Sequence, residues 1–227
     1  MVNNAIDHSE GGRVTVAVER NALRTTVRVS DDGEGIFHRI QRLMGLYDPR
    51  ESILELAKGK LTTDPARHSG EGVFFSSRMF DRFSIMSRNL FFSHEAASDD
   101  WLIDGEGEVS GTTVAMTLAN DSARTTKEVF DEFAAPEEYT FAKTIVPVRL
   151  AQHEGEKLVS RSQAKRLTMR FERFQTVVLD FAGVEEIGQA FADEVFRVFQ
   201  ASHPDLEMLP VHMSEGVRNM VSRAQAG

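Results

Sequence analysis

Cysteine is missing from all 227 residues. Its absence excludes a disulfide framework and every thiolate metal site, and it fits a cytoplasmic location. Long hydrophobic runs are missing too. The longest, such as residues 177–179 and 90–92, fall far short of the ~20 apolar residues that cross a bilayer as a helix, so no membrane partner is expected. The first residues carry amides and charge where a secretory leader would have a basic and then an apolar segment. Positive charge is scarce: 26 Lys and Arg against 35 Asp and Glu leave a formal charge of −9. A broad phosphate-binding surface needs clustered cations, so no direct nucleic-acid contact is expected, although a local basic patch stays open. What remains is ordinary for a globular chain, with 41% apolar and 27% charged residues. The length allows one large domain or two small ones with a real core.

The hydrophobic rhythm changes along the chain. An opening polar helix is followed by GRVTVAVER and LRTTVRVS, where Val14, Val16 and Val18, then Leu23, Thr25, Val27 and Val29, recur with period two. Two strands joined through Asn21, a residue that tolerates left-handed backbone, predict an antiparallel hairpin. Helical spacing begins at Ile36 with Ile40 and Leu43, and a second short helix is expected from Pro49 to Ala57. The segment from Lys58 to Gly72 has no apolar period and reads as a long loop. A helix over 73–83 and four short strands, FSIMSR, NLFFSHE, WLIDGEG and GTTVAMTL, complete an α+β domain over 1–120. Residues 121–143 read as a linker with a short helix at KEVFDEF and a breaker at Pro136. Over 144–227, strands TIVPVRLA, TVVLDF and LEMLPVHM alternate with helices KLVSRSQAKRLTMRFERF, GQAFADEVFRVFQA and SEGVRNMVSRA, which predicts a small α/β domain with a largely parallel sheet.

Four stretches could carry chemistry. In NNAIDHS, Asn4 and His8 share a helix face, and an Asn oxygen suits a hard cation such as Mg²⁺; such a face is also what any solvated helix shows. In VSDDGEGI, the frame Asp31, Gly33 and Gly35 sits at a strand end. A buried Asp there can accept a hydrogen bond from an exocyclic amine, and glycines let a flat base approach the backbone; a tight turn needs the same residues. In HSGEGVFF, Gly70 and Gly72 open a helix whose free N–H groups attract phosphate, with Lys58, Lys60, Arg67 and His68 nearby to add charge. GTTVAMTL, with Thr112 and Thr113, is by itself only a strand start.

In this order, the four stretches resemble the GHKL ATPase family of histidine kinases, gyrase, certain chaperones, mismatch-repair ATPases and anti-sigma-factor serine kinases. The resemblance implies a Bergerat-type α/β sandwich with ATP and Mg²⁺ as cofactors. Asn4 would hold the Mg²⁺, Asp31 would bind the adenine amine, and Gly33 and Gly35 would shape the base pocket. Gly70 and Gly72, with His68 beside them, would form a lid over the phosphates, and Thr112 or Thr113 would complete the adenine contact. The hydrolysing and serine-kinase branches carry a Glu general base four residues before the Asn; that position lies ahead of Met1. The expectation is therefore a domain lacking its first elements, with apolar surface exposed beside the site and no catalytic residue in the chain as given.

The second domain resembles the STAS-like unit of the DUF4325 type and, more distantly, the STAS fold of anti-anti-sigma factors, through VVLDFAGVEEIGQAFADEVF. Where those factors carry a phosphorylatable Ser, this chain has Gly188, Gln189, Ala190 and Phe191, so that switch is not expected here. Phe191, Val195 and Val198 would form an apolar stripe on the sheet, and Met208, Met213 and Met220 would serve core or interface. The function expected is a bacterial ATP-binding regulator, set in transcriptional control by analogy, whose nucleotide state alters docking of the STAS-like domain or of a protein partner, a second copy of the chain being one option. The alternatives are a serine or histidine kinase or slow ATPase that needs the upstream Glu, and a nucleotide-free scaffold.

Overall fold

The computed structural model describes residues 1–62, 70–95, 98–135, 140–152 and 156–226, with the backbone alone over 98–108. The chain is mixed α+β and divides into two compact units, Met1–Phe130 and Asp131–Gly227. The division falls within helix α5 (Thr126–Phe133). Pro136, expected as a breaker, lies outside the described residues. No helix among the described residues is long and apolar enough to cross a membrane.

The first unit opens with helix α1 (Val2–His8), followed by strands β1 (Val14–Arg20) and β2 (Arg24–Asp31). The two strands pair antiparallel from Val14 opposite Asp31 to Arg20 opposite Thr25, with no bulge. Asn21 does not take left-handed backbone at the turn. Its side chain closes the reversal instead, as Oδ1 accepts the N–H groups of Leu23 and Arg24, both at 2.9 Å.

The four short strands expected between 83 and 118 are two long ones, β3 (Arg82–Glu95) and β4 (Ser98–Ala119). Register shifts at Ser87/Arg88 and Arg88/Leu90, with Arg88 at φ 54°, bend the pair where the sequence pattern breaks. The sheet order is β1-β2-β4-β3, antiparallel throughout. Alternation sends Val29, Phe83, Ile85, Val114 and Met116 to one buried face. Helices α2 (Ile36–Met44), α3 (Glu51–Lys58) and α4 (Gly72–Met79) contribute Phe37, Ile40, Ile53, Leu54 and Phe74 to the same core. α4 stops short of the expected 83 because the backbone is already extended at Phe80 and the chain enters β3.

The second unit holds a parallel sheet of β5 (Lys143–Pro147), β6 (Thr176–Asp180) and β7 (Glu207–Val211), with β6 in the centre. A central parallel strand is covered on both faces, which is why it reads as a continuous apolar run; Val177 and Leu179 are fully buried. β5 ends at Pro147, and Val148–Ala151 form a 3₁₀ turn where strand was expected. The long helix expected from Lys157 is α6 (Arg161–Thr168) followed by a 3₁₀ turn, Phe171–Arg173. Ser160 and Gln163 build a capping box that sets the later start, and Arg170 at φ 68° ends the helical run.

The next helical stretch changes pitch: α7 (Gln189–Asp193) continues as a π-helical segment, Glu194–Phe199, and closes as α8 (Gln200–Ser202). The last helix is α9 (Glu215–Ala226). Phe191 and Val195 are buried as the stripe requires, but Val198 is 40% exposed. The wider π turn rotates the following residues, so Phe199 replaces Val198 on the inner side and meets Phe171 edge-on, ring centroids 6.0 Å apart. In urea denaturation, Phe191→Ala is expected to cost about 3–5 kcal/mol, whereas Val198→Ala stays within about 0.5 kcal/mol. Equal costs would contradict the rotated stripe.

Candidate functional site

β2 ends on Asp31 and Asp32 follows directly, and the two adjacent acids take different partners. Asp32 accepts the N–H groups of Gly12 at 2.8 Å and Arg13 at 2.9 Å, pinning the loop between α1 and β1. The Arg13 N–H bond is the main reason its carboxyl is held below the usual range. Asp31 uses Oδ1 alone, accepting from Gly33 N–H at 3.0 Å and Thr112 N–H at 3.1 Å. Its Oδ2 has no hydrogen-bond partner among the described residues. Burial pushes the Asp31 carboxyl up and outweighs the two N–H bonds, which pull it down, while the charge of Asp32 adds to the rise.

Asp31 faces a cavity of about 640 Å³ bounded by α1, β2, α2, the start of α4 and β4. That volume suits a small organic ligand. Asn4 and His8 line it from one face of α1, Gly35 from the loop before α2, Gly70 and Gly72 from the entry to α4, and Thr112 from β4. Val29, Ile36, Ile40, Ile85 and Val114 supply an apolar wall. Motifs up to 108 residues apart in the chain, Asn4 to Thr112, therefore share one chamber.

The remaining candidates fall elsewhere. Thr113 points to the other side of β4, where its hydroxyl donates to Ser30 Oγ at 2.9 Å. Thr112, by contrast, accepts the Ile36 N–H at 2.9 Å through its Oγ1, which leaves the hydroxyl proton available. Gly33 is not part of the lining. A methyl there would overlap the Ser9 carbonyl, and the next N–H, of Glu34, donates to that same oxygen at 3.1 Å; glycine lets the loop close on the end of α1. Lys58 is not a loop cation but the last residue of α3, fully buried and paired with Glu55 at 2.6 Å. His68 and Arg67 lie outside the described residues.

Two contributors escaped the sequence reading. Gly111, at φ 74°, lets β4 pass the Asp31 backbone, whose carbonyl oxygen a methyl would strike; sequence shows the glycine but not its neighbour. Arg39 lines the cavity from α2 and donates to Glu10 at 2.5 Å and Glu34 at 3.0 Å, with Arg42 adding a 2.7 Å bond to Glu34. Burial pushes the Glu34 carboxyl up, yet the bonds from Arg42 and Arg39 win and hold it below its ordinary value. The helical spacing of Arg39 from Ile36 was the available signal. Among the described residues no group of three or more His, Cys, Asp or Glu side chains could hold a metal ion.

In the second unit, Gly188 caps α7 and donates its N–H to the Leu158 carbonyl at 2.7 Å. A methyl there would lie 2.8 Å from Val159 Cα, so close approach of the backbone demands glycine where a switch serine was not expected. In chain order, α6 and β6 precede it, and the α7–α8 stretch, β7 and α9 follow. Residues 163–218 match the STAS-like domain of unknown function, DUF4325. The STAS-like stretch thus includes the central strand of the parallel sheet and Gly188 itself. No curated protein matches the chain.

Gly33, in a loop, and Gly72, at the start of α4, differ in what they tolerate. Gly33→Ala is expected to destabilise the first unit by about 1–3 kcal/mol through overpacking, whereas Gly72→Ala, whose added methyl meets nothing within 4 Å, leaves the melting midpoint unchanged or raises it. Thermal unfolding followed by circular dichroism checks both.

Proposed function

We propose that the first unit binds ATP with Mg²⁺ in this cavity, and that occupancy governs docking of a protein partner or of the STAS-like domain. The observation that carries the reading is Asp31: one carboxylate oxygen is held by Gly33 and Thr112, while the other is left open in a chamber of ligand size. Adenine presents an exocyclic amine that donates, which this oxygen would accept. The Thr112 hydroxyl, already accepting from Ile36, would give its proton to a ring nitrogen. Ile36, Ile40 and Val114 offer the apolar wall against which a flat base lies.

The resemblance to the GHKL family supports the same assignment for the rest of the ligand. Gly70 and Gly72 at the start of α4 would present N–H groups to phosphate. Asn4 would offer its side-chain oxygen to Mg²⁺, which keeps waters and takes further oxygens from phosphates. A bound divalent cation would neutralise phosphate charge that the acidic chain cannot.

Calorimetric titration of the full chain with Mg·ATP should give a saturable heat. Asp31→Asn removes a charged hydrogen-bond acceptor, worth about 1.5–3 kcal/mol, and should weaken ATP at least tenfold. GTP, whose corresponding position is an acceptor, should bind less well than ATP. Acidification should weaken ATP binding to the wild type as Asp31 takes up its proton, in a window above the ordinary carboxylate value of ~3.9, because burial raises this group; Asp31→Asn should show no such dependence. No heat with the wild type at pH 7 would refute the proposal.

A further inference from the structure

The two edges of the first sheet are built differently. β3 is interrupted by register shifts and by left-handed Arg88, features that blunt an edge against further pairing. β1 is regular along its whole length, with no proline, and pairs only with β2 among the described strands. Its apolar face is bare: Val16 is 50% exposed and Val18 64%. Yet these residues belong to rows that are buried further in. Val16 stands opposite Val29, which stands opposite Val114, which stands opposite Ile85, and the last three are at 3%, 8% and 0% exposure. The buried row runs out into solvent at β1.

We infer that β1 pairs antiparallel with β1 of a second copy, joining two four-stranded sheets into one of eight. Self-complementarity of the strand selects this occupant. Apolar residues share a face only in registers where the paired residue numbers have an even sum, because side chains alternate. With Val16 opposite Val16 of the partner, Val14 falls opposite Val18 and Arg13 opposite Glu19, twice by symmetry. The neighbouring registers place Arg13 against Asn21 or Ala17 and lose both charge pairs. Glu19 already lies beside Arg28 within its own sheet, so the pairing extends a charged row on one face while the valine row continues on the other. The assignment is independent of what the cavity binds.

The absence of cysteine makes the register directly testable. Wild-type chain at micromolar concentration should sediment as a dimer. Under oxidising conditions Val16→Cys should form a covalent dimer, since paired residues on adjacent strands lie within disulfide reach. Val14→Cys or Val18→Cys alone should cross-link at least tenfold more slowly, and the two mixed should cross-link readily. Arg13→Glu should weaken the dimer at least tenfold, and Arg13→Glu with Glu19→Arg should restore it. The side chains of Val16 and Val18 are already exposed, so these variants retain the fold, checked by circular dichroism. A monomeric wild type at 100 μM would overturn the inference, as would Val18→Cys cross-linking as fast as Val16→Cys.

Discussion

Asp31 Oδ1 is the point on which the first unit converges. The N–H of Gly33 fixes the loop that follows β2, and the N–H of Thr112 fixes β4. Both bonds exist because backbone can come unusually close: Gly111 passes the Asp31 carbonyl, and Gly33 passes Ser9. A partly buried carboxylate is costly unless its lone pairs are used. Here two bonds are spent on one oxygen and none on the other, so the residue that ties the loop after β2 to β4 also keeps an unspent acceptor in the cavity. One oxygen of the side chain holds backbone, and the other has no hydrogen-bond partner among the described residues.

The rest of the cavity follows from this junction. Once the Asp31 loop is fixed, Ile36 starts α2 with its N–H on Thr112, and α2 brings Arg39 to the Glu10 and Glu34 carboxylates. Those bonds connect the end of α1 to the start of α2, and so hold Asn4 and His8 along the same wall as Asp31. Individually such ion pairs contribute little when exposed. Arg39 is the exception in the group because its side chain is only 17% exposed and it joins two separate acids.

Much of this was legible in sequence because it rests on local chemistry. Period-two apolar residues marked β1 and β2, a continuous apolar run marked β6, and each of NNAIDHS, DDGEG, HSGEG and GTT supplies at least one residue to the same cavity. What stayed hidden depends on contacts distant in the chain. Choosing Thr112 over Thr113 requires the pairing of β4 with β2, which turns one residue to the cavity and the next to Ser30. Lys58 looked like a loop cation since composition cannot show that α3 is buried along its length. In the second unit, Val198 kept a helical spacing on paper, but a π turn consumes an extra residue per revolution and moves it outward. The length of β3 and β4 was missed because bulges interrupt the alternation without ending the strands.

The adjacency of Asp31 and Asp32 has a consequence of its own. Asp31 is the last residue of β2 and Asp32 the first beyond it, so a shift of β2 by a single residue would exchange their posts, the anchor of the α1–β1 loop entering the chamber and the cavity acid leaving it. Which carboxylate faces the cavity is therefore a property of strand alignment, not of composition. Such an alignment is secured from two sides, by Asn21 at the hairpin turn and by the seven-residue match to β4. Small insertions in that distant turn would act on the chamber as surely as a substitution inside it, by changing which letter of an identical pair is spoken there.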